Sequence, residues 1–90
     1  MLALLDYVLK NGTVIDGTGR AGFRADVAVR DGTIAGIGQF DAAQAHVCVD
    51  VSGKTVTPGF IDIHRHADAA AFRPDFGRAE LRQGLTTIVN

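Results

Sequence analysis

Ninety residues, 47% of them hydrophobic and 21% charged, have the composition of one small globular domain or part of a larger one. A chain of this size buries only about 60% of the surface its unfolded form exposes. Nine Lys and Arg against ten Asp and Glu leave a net charge of -1, which excludes a basic footprint for nucleic acid and a polybasic membrane patch.

The opening residues, Met1 to Asp6, have an apolar start but neither the basic region nor the apolar length of a signal peptide. No stretch approaches the roughly 18 apolar residues of a membrane span. Three turn dipeptides then punctuate the chain: Asn11-Gly12, Asp31-Gly32 and Ser52-Gly53. Each tolerates the positive φ of a tight turn, and each separates runs rich in Val, Ile, Leu or Thr, the pattern of a β-hairpin. The flanking runs are 5–10 with 13–16, 25–30 with 33–37, and 47–51 with 54–57. Val27 and Val29 alternate with Asp26, Ala28 and Arg30, and Val47, Val49 and Val51 alternate with Cys48 and Asp50, a period of two expected of half-buried antiparallel strands. Residues 1–57 therefore read as a β-meander forming one layer, or most, of a small β-sandwich. Cys48, the single cysteine, cannot form an internal disulfide, which suits the cytoplasm. Its place in an alternating run makes it a small packing residue rather than a nucleophile.

The pattern changes at Pro58-Gly59. Proline removes a backbone donor and glycine permits an unusual dihedral, so the pair marks a junction. Residues 60–64 read as a buried strand and 67–74 as a loop. Asp75 can cap a short helix running to Gln83, with Gly84 as its stop, and 85–89 reads as another strand. Strand, helix, strand is a parallel unit with a crossover helix, the opening of an α/β architecture over residues 58–90.

His64 and His66 stand two apart on the predicted strand, so both leave one face, with β-carbons roughly 6.5–7 Å apart. Two imidazoles at that spacing can converge on one ion at about 2.0–2.1 Å per bond. Asp62 shares their parity and can support a ligand from behind; Asp68 shares it too, past the expected strand end. The bland alternative is a pair of ordinary histidines. Position weighs against it, because functional residues of parallel barrels collect at the C-terminal ends of strands.

The run Pro58-Gly59-Phe60-Ile61-Asp62-Ile63-His64-Arg65-His66 resembles the P-G-F-[IV]-D-x-H-x-H signature of the amidohydrolase superfamily. Val14 to Gly19 and Gln83 to Val89 are most similar to the N-acyl-D-amino-acid deacylase (D-aminoacylase) branch. Dihydroorotases, hydantoinases and isoaspartyl dipeptidases share much of this layout. The resemblance spans Asp6 to Asn90. It implies a (β/α)8 barrel with a small β-sandwich assembled from both ends of the chain, one or two zinc ions, and hydrolysis of an amide bond in a small N-acyl amino acid. It carries His64 and His66 over as metal ligands. The other ligands and the acid–base Asp belong to later strands of a barrel of about 250 residues, so the chain reads as a truncated piece, inactive by itself. Cys48 is not the family's cysteine ligand, which would follow Asn90.

Other signals are weaker. Gly17-Thr18-Gly19-Arg20-Ala21-Gly22 fits G-x-G-x-x-G, but a strand rather than a helix follows, so these glycines read as a loop with Asp16 stabilising a turn. His46 has no second ligand at metal spacing and reads as solvated, in the connection 41–46. Arg78 and Arg82 accompany Glu80 on an exposed helix face, Arg73 adds no anion site to them, and Arg65 points away from the histidine face. The expected product is thus a β-rich segment followed by the first β-α-β unit of a zinc hydrolase. The rivals are a cyclic amidohydrolase of dihydroorotase or hydantoinase type, and a non-catalytic β-rich binding or assembly module whose uncovered sheet edges would favour self-association.

Overall fold

The computed structural model describes residues 4–64, 74 and 77–88. The chain divides into two compact units, Met1–Thr57 and Pro58–Asn90. No helix among the described residues is long and apolar enough to cross a membrane.

In the first unit, β1 (Leu5–Val14), β2 (Phe23–Arg30), β3 (Thr33–Gly38), β4 (Ala45–Asp50) and β5 (Thr55–Val56) form one mixed sheet. Its order is β3-β2-β1-β4, with β5 also on β1. Asp31 (φ 53°) and Gly32 (φ 72°) make the β2–β3 hairpin, since two successive positive φ angles match the right-handed twist of the flanking strands. The other two dipeptides do not reverse the chain, which corrects the meander expected from sequence. Asn11 (φ 67°) and Gly12 lie inside β1 as a bulge, where Leu9 pairs with Val27 and Gly12 with Ala25. Ser52-Gly53 interrupts a single line of chain, for β4 and β5 both run parallel to β1, Val8 facing Cys48 and Thr13 facing Thr55. Turn dipeptides report a local positive φ; whether the chain reverses depends on which strand accepts the next hydrogen bonds. Gly12 is required by proximity as well, because a β-carbon there would stand 2.9 Å from Val56 Cγ2 and 3.0 Å from Val51 Cγ2.

One sheet face is covered. Val8 and Ala28 pair across β1 and β2 and are fully buried. Gly36 faces Ala28 on β3, and the Phe40 ring lies against it, 3.0 Å from where a β-carbon would be. The segment after β3, with its 3-10 turn Ala42–Gln44, thus returns the chain to β4. The opposite face carries Tyr7, Ile34, Ile37, Val47 and Val49, which are 40–61% exposed. Their register partners Val29 and Leu9 are half-buried, while Val27 on the same face is buried at 5% exposure.

The polar node of the unit is Asp26, buried on β2. Its Oδ1 accepts the Asn11 amide (2.8 Å), while Oδ2 accepts the Phe40 amide (3.0 Å) and Lys10 Nζ (3.0 Å). The Phe40 N–H, followed by the Asn11 N–H and the Lys10 ammonium, holds the Asp26 pKa down at about 2 against desolvation.

In the second unit, β6 (Phe60–Asp62) and β7 (Leu85–Ile88) pair in parallel, with α1 (Arg78–Arg82) before β7. Gly84 (φ 87°) ends the helical turn, its N–H donating to Leu81 O, and its carbonyl accepts the Phe60 N–H at 2.8 Å. β6 is shorter than the strand 60–64 expected from sequence and is not buried, Ile61 being 60% and Ile63 80% exposed. The expected helical cap Asp75, the loop residues 67–73 and Val89 lie outside the described residues, and α1 begins at Arg78 rather than after Asp75.

Replacing Asp26 with Asn sets an amide NH2 against at least one of three converging donors, so Asp26→Asn is expected to cost about 1–3 kcal/mol, read by urea denaturation. Because the folded carboxyl titrates near 2, below its ordinary 3.8, its contribution is present above about pH 4 and is lost as pH falls from 4 towards 2. The parent should lose stability in that window, and the variant should lose less.

Candidate metal centre

Asp62 is the last residue of β6 and is half-buried; His64 follows two residues later in a bend and is exposed. Parallel pairing with β7 directs this exit to the end of the two-stranded sheet where Asp62 stands opposite Ile88. The strand stops there for a local reason. Asp62 Oδ1 accepts the backbone N–H of His64 at 3.2 Å, and an amide held by a side chain two residues back follows the course of a turn, not of a ladder. The sequence argument that Asp62, His64 and His66 share one strand face therefore fails at His64, which has already left the strand. His66, Asp68, Arg65 and Arg73 lie outside the described residues.

Among the described residues no group of three or more His, Cys, Asp or Glu side chains is placed to hold a metal ion. His64 is the one described imidazole in this unit. An exposed nitrogen donor at the mouth of a parallel strand pair suits a borderline ion such as zinc, which takes imidazole, thiolate and carboxylate in a tetrahedral set. The donor chemistry fits part of such a set.

The remaining chemistry-bearing residues stand elsewhere. His46 is exposed and sits on β4, not in the preceding connection. Cys48 is exposed as well, contrary to the packing role expected of it; among the described residues β4 is an edge strand, paired with β1 alone. Residues 15–22 form a loop with no helix, so the G-x-G-x-x-G pattern builds no phosphate cradle. Asp16 stabilises that loop, accepting from Thr18 Oγ1 (2.6 Å) and Thr18 N (3.1 Å) and pairing with Arg20. The Thr18 hydroxyl is the main cause holding its carboxyl below the ordinary value. Arg78 and Arg82 are exposed on α1. The residue that sequence reasoning missed is Asp26: its alternation with Val27 suggested a solvated face, and its partners lie 14–16 residues away. It lines a polar cleft with Lys10, Arg24 and Asp41, but its oxygens are already engaged within the fold.

Residues 2–60 match the family described as urease alpha-subunit, N-terminal domain. The D-aminoacylase of Alcaligenes xylosoxydans xylosoxydans is 48% identical over 84 residues, covering 93% of this chain and 17% of that enzyme. The adenine deaminase of Listeria welshimeri is 40% identical over 85 residues, covering 93% of this chain and 14% of its own length. Among solved structures, N-acyl-D-glutamate deacylase from Bordetella bronchiseptica, complexed with zinc and a phosphonate inhibitor, superposes with a TM-score of 0.87 at 46% identity, over 94% of this chain and 18% of that one. The chain thus spans less than a fifth of the length of these three relatives.

The chain just before β6 lies in tight contact with β7. A β-carbon at Gly59 would fall inside the Thr86 side chain. Gly59→Ala is expected to part the strands at a cost of about 1–3 kcal/mol, read as about fivefold or more faster hydrogen exchange of the Phe60 amide. Combining it with Thr86→Ala should recover part of the protection. Parental exchange in the single variant would disprove the contact.

Proposed function

Because the chain belongs to the urease alpha-subunit N-terminal domain family, within the amidohydrolase superfamily, we propose that it is the N-terminal part of a zinc-dependent hydrolase that cleaves the amide bond of N-acyl-D-amino acids. The observation that carries this reading is a histidine-bearing exit from the first strand of a parallel β-α-β unit, in a chain 48% identical to a D-aminoacylase across 93% of its length. The 40% identity to an adenine deaminase supports the superfamily and a hydrolysed C–N bond, while the higher figure favours the acyl amino acid.

In this reading residues 1–57 are one layer of a small β-sandwich, and residues 58–90 open a (β/α)8 barrel. The exposed apolar face of Tyr7, Ile34, Ile37, Val47 and Val49 is what a second layer would cover; in the isolated chain the same surface favours self-association. His64 and His66 would hold one or two zinc ions, with Asp62 and Asp68 as supporting carboxylates. Zinc, when bound, supplies electrophilic activation of the amide carbonyl and of the attacking water. The chain's own contribution is to bring the His64 imidazole to the end of β6 and to hold its backbone amide. The exposed, free Cys48 thiol suits a reducing cytoplasm.

The test is expression of the complete reading frame that contains this chain. Elemental analysis should find zinc, and N-acetyl-D-amino acids should be hydrolysed in preference to their L-isomers, hydantoins and adenine. His64→Ala and His66→Ala should each reduce bound zinc and lower kcat/KM by about 100-fold or more, in line with 2.7 kcal/mol or so of lost transition-state stabilisation. The 90-residue chain alone should hydrolyse none of these compounds. Full zinc in both variants, or turnover of adenine alone, would refute the reading.

A further inference from the structure

Three strand exits in this chain use the same device. Asp16, two residues after β1, accepts the Thr18 N–H; Asp50, the last residue of β4, accepts the Ser52 N–H; Asp62, the last residue of β6, accepts the His64 N–H. At the first two, the residue two positions on is a hydroxyl residue, and its Oγ donates to the same carboxylate oxygen as its backbone. The turn is then closed by main chain and side chain together. At the third exit that position holds an imidazole. The backbone part of the device is kept, while the side chain placed there is a metal-ligand type in place of a hydroxyl.

We propose that Asp62 is a positioning residue for the metal ligand His64: its carboxylate ends β6 and fixes the His64 backbone, so that the turn, and not the pleat of a strand, sets the direction in which the imidazole leaves. This rests on the functional reading above. The ring closed between residue i and the amide of i+2 needs an acceptor oxygen on the γ-carbon of the side chain. Aspartate and asparagine both supply one. Alanine supplies none, and glutamate carries its oxygens one carbon too far out. The device therefore depends on acceptor position rather than on negative charge, which separates it from a role in lowering the charge of the site or in binding the ion directly.

The experiment uses the complete, metal-free protein, titrated with zinc against a chromophoric chelator, beside thermal unfolding of each variant. Asp62→Ala and Asp62→Glu are expected to weaken zinc binding by about 10-fold or more, the range in which loss of a ligand's supporting contact falls. Asp62→Asn is expected to stay within about threefold of the parent. In the apo protein, exchange of the His64 amide should speed up in Ala and Glu and stay slow in Asn. Parental affinity in Asp62→Ala, or in Asp62→Glu should the alanine variant fail to fold, overturns the inference. So does Asn binding as weakly as Ala, which would show that charge is what matters. His64→Ala is measured in the same series: unchanged affinity there overturns the site itself, whereas loss there with none in Asp62→Ala overturns only the positioning role.

Discussion

A single buried carboxylate makes the first unit's sheet workable. β1 is its central strand and must pair on both sides, yet it carries a bulge at Asn11-Gly12 that takes the Asn11 amide out of the β1–β2 ladder. An amide left there without a partner costs about as much as a lost hydrogen bond with its desolvation penalty. Asp26 takes that amide on one oxygen, and on the other takes the Phe40 amide and the Lys10 ammonium. Lys10 Nζ also donates to the Phe40 carbonyl. Bulge, central strand and crossover are thereby tied at one point. The tie brings Phe40 over Gly36, and the crossover then delivers β4 to the far side of β1, parallel to it.

That arrangement decides which face of the sheet is satisfied. The crossover covers the side of Val8 and Ala28, leaving Tyr7, Ile34, Ile37, Val47 and Val49 with no layer against them among the described residues. A sheet with one apolar face open is stable only against another element. Cys48 is a different case, for it stands opposite Val8, on the covered side of the sheet, and is nevertheless exposed. The alternation of its neighbours does mark a strand, but burial depends on what lies over that strand, and among the described residues β4 is an edge strand paired with β1 alone.

Local chemistry was legible in the sequence; pairing between distant segments was not. β2 runs from Phe23 to Arg30, two residues longer at its start than the run 25–30, and it ends where the Asp31-Gly32 dipeptide implies, because a two-residue turn with positive φ encodes its own reversal. Gly84 likewise stops α1 through its positive φ. Asn11-Gly12 and Ser52-Gly53 carry the same kind of signal, and Asn11 (φ 67°) and Gly53 (φ 75°) do adopt the left-handed region. What they build there, a bulge and an in-line interruption, is decided by β2 and β1, whose positions no dipeptide records. Asp26 was illegible for the same reason. A carboxylate in an alternating strand signals a wet face unless donors come to it from elsewhere in the chain.

The candidate metal centre is legible in the sequence as a motif, while the end of its strand is not. Spacing two apart on a strand puts side chains on one face only while the chain continues as a strand, and β6 ends at Asp62. The residue that ends it was visible all along, since aspartate is among the side chains that best capture an amide two positions on. The chain uses it this way at Asp16 and Asp50 as well, where the Ser52 hydroxyl, like that of Thr18, is the chief cause holding the carboxyl below its ordinary value. A D-x-H motif at a strand end is thus better read as a turn with an imidazole at its exit than as two residues of one pleated face. The convergence of His64 with any second ligand then becomes a property of the turn, and the aspartate belongs to the question of how the ligand is aimed.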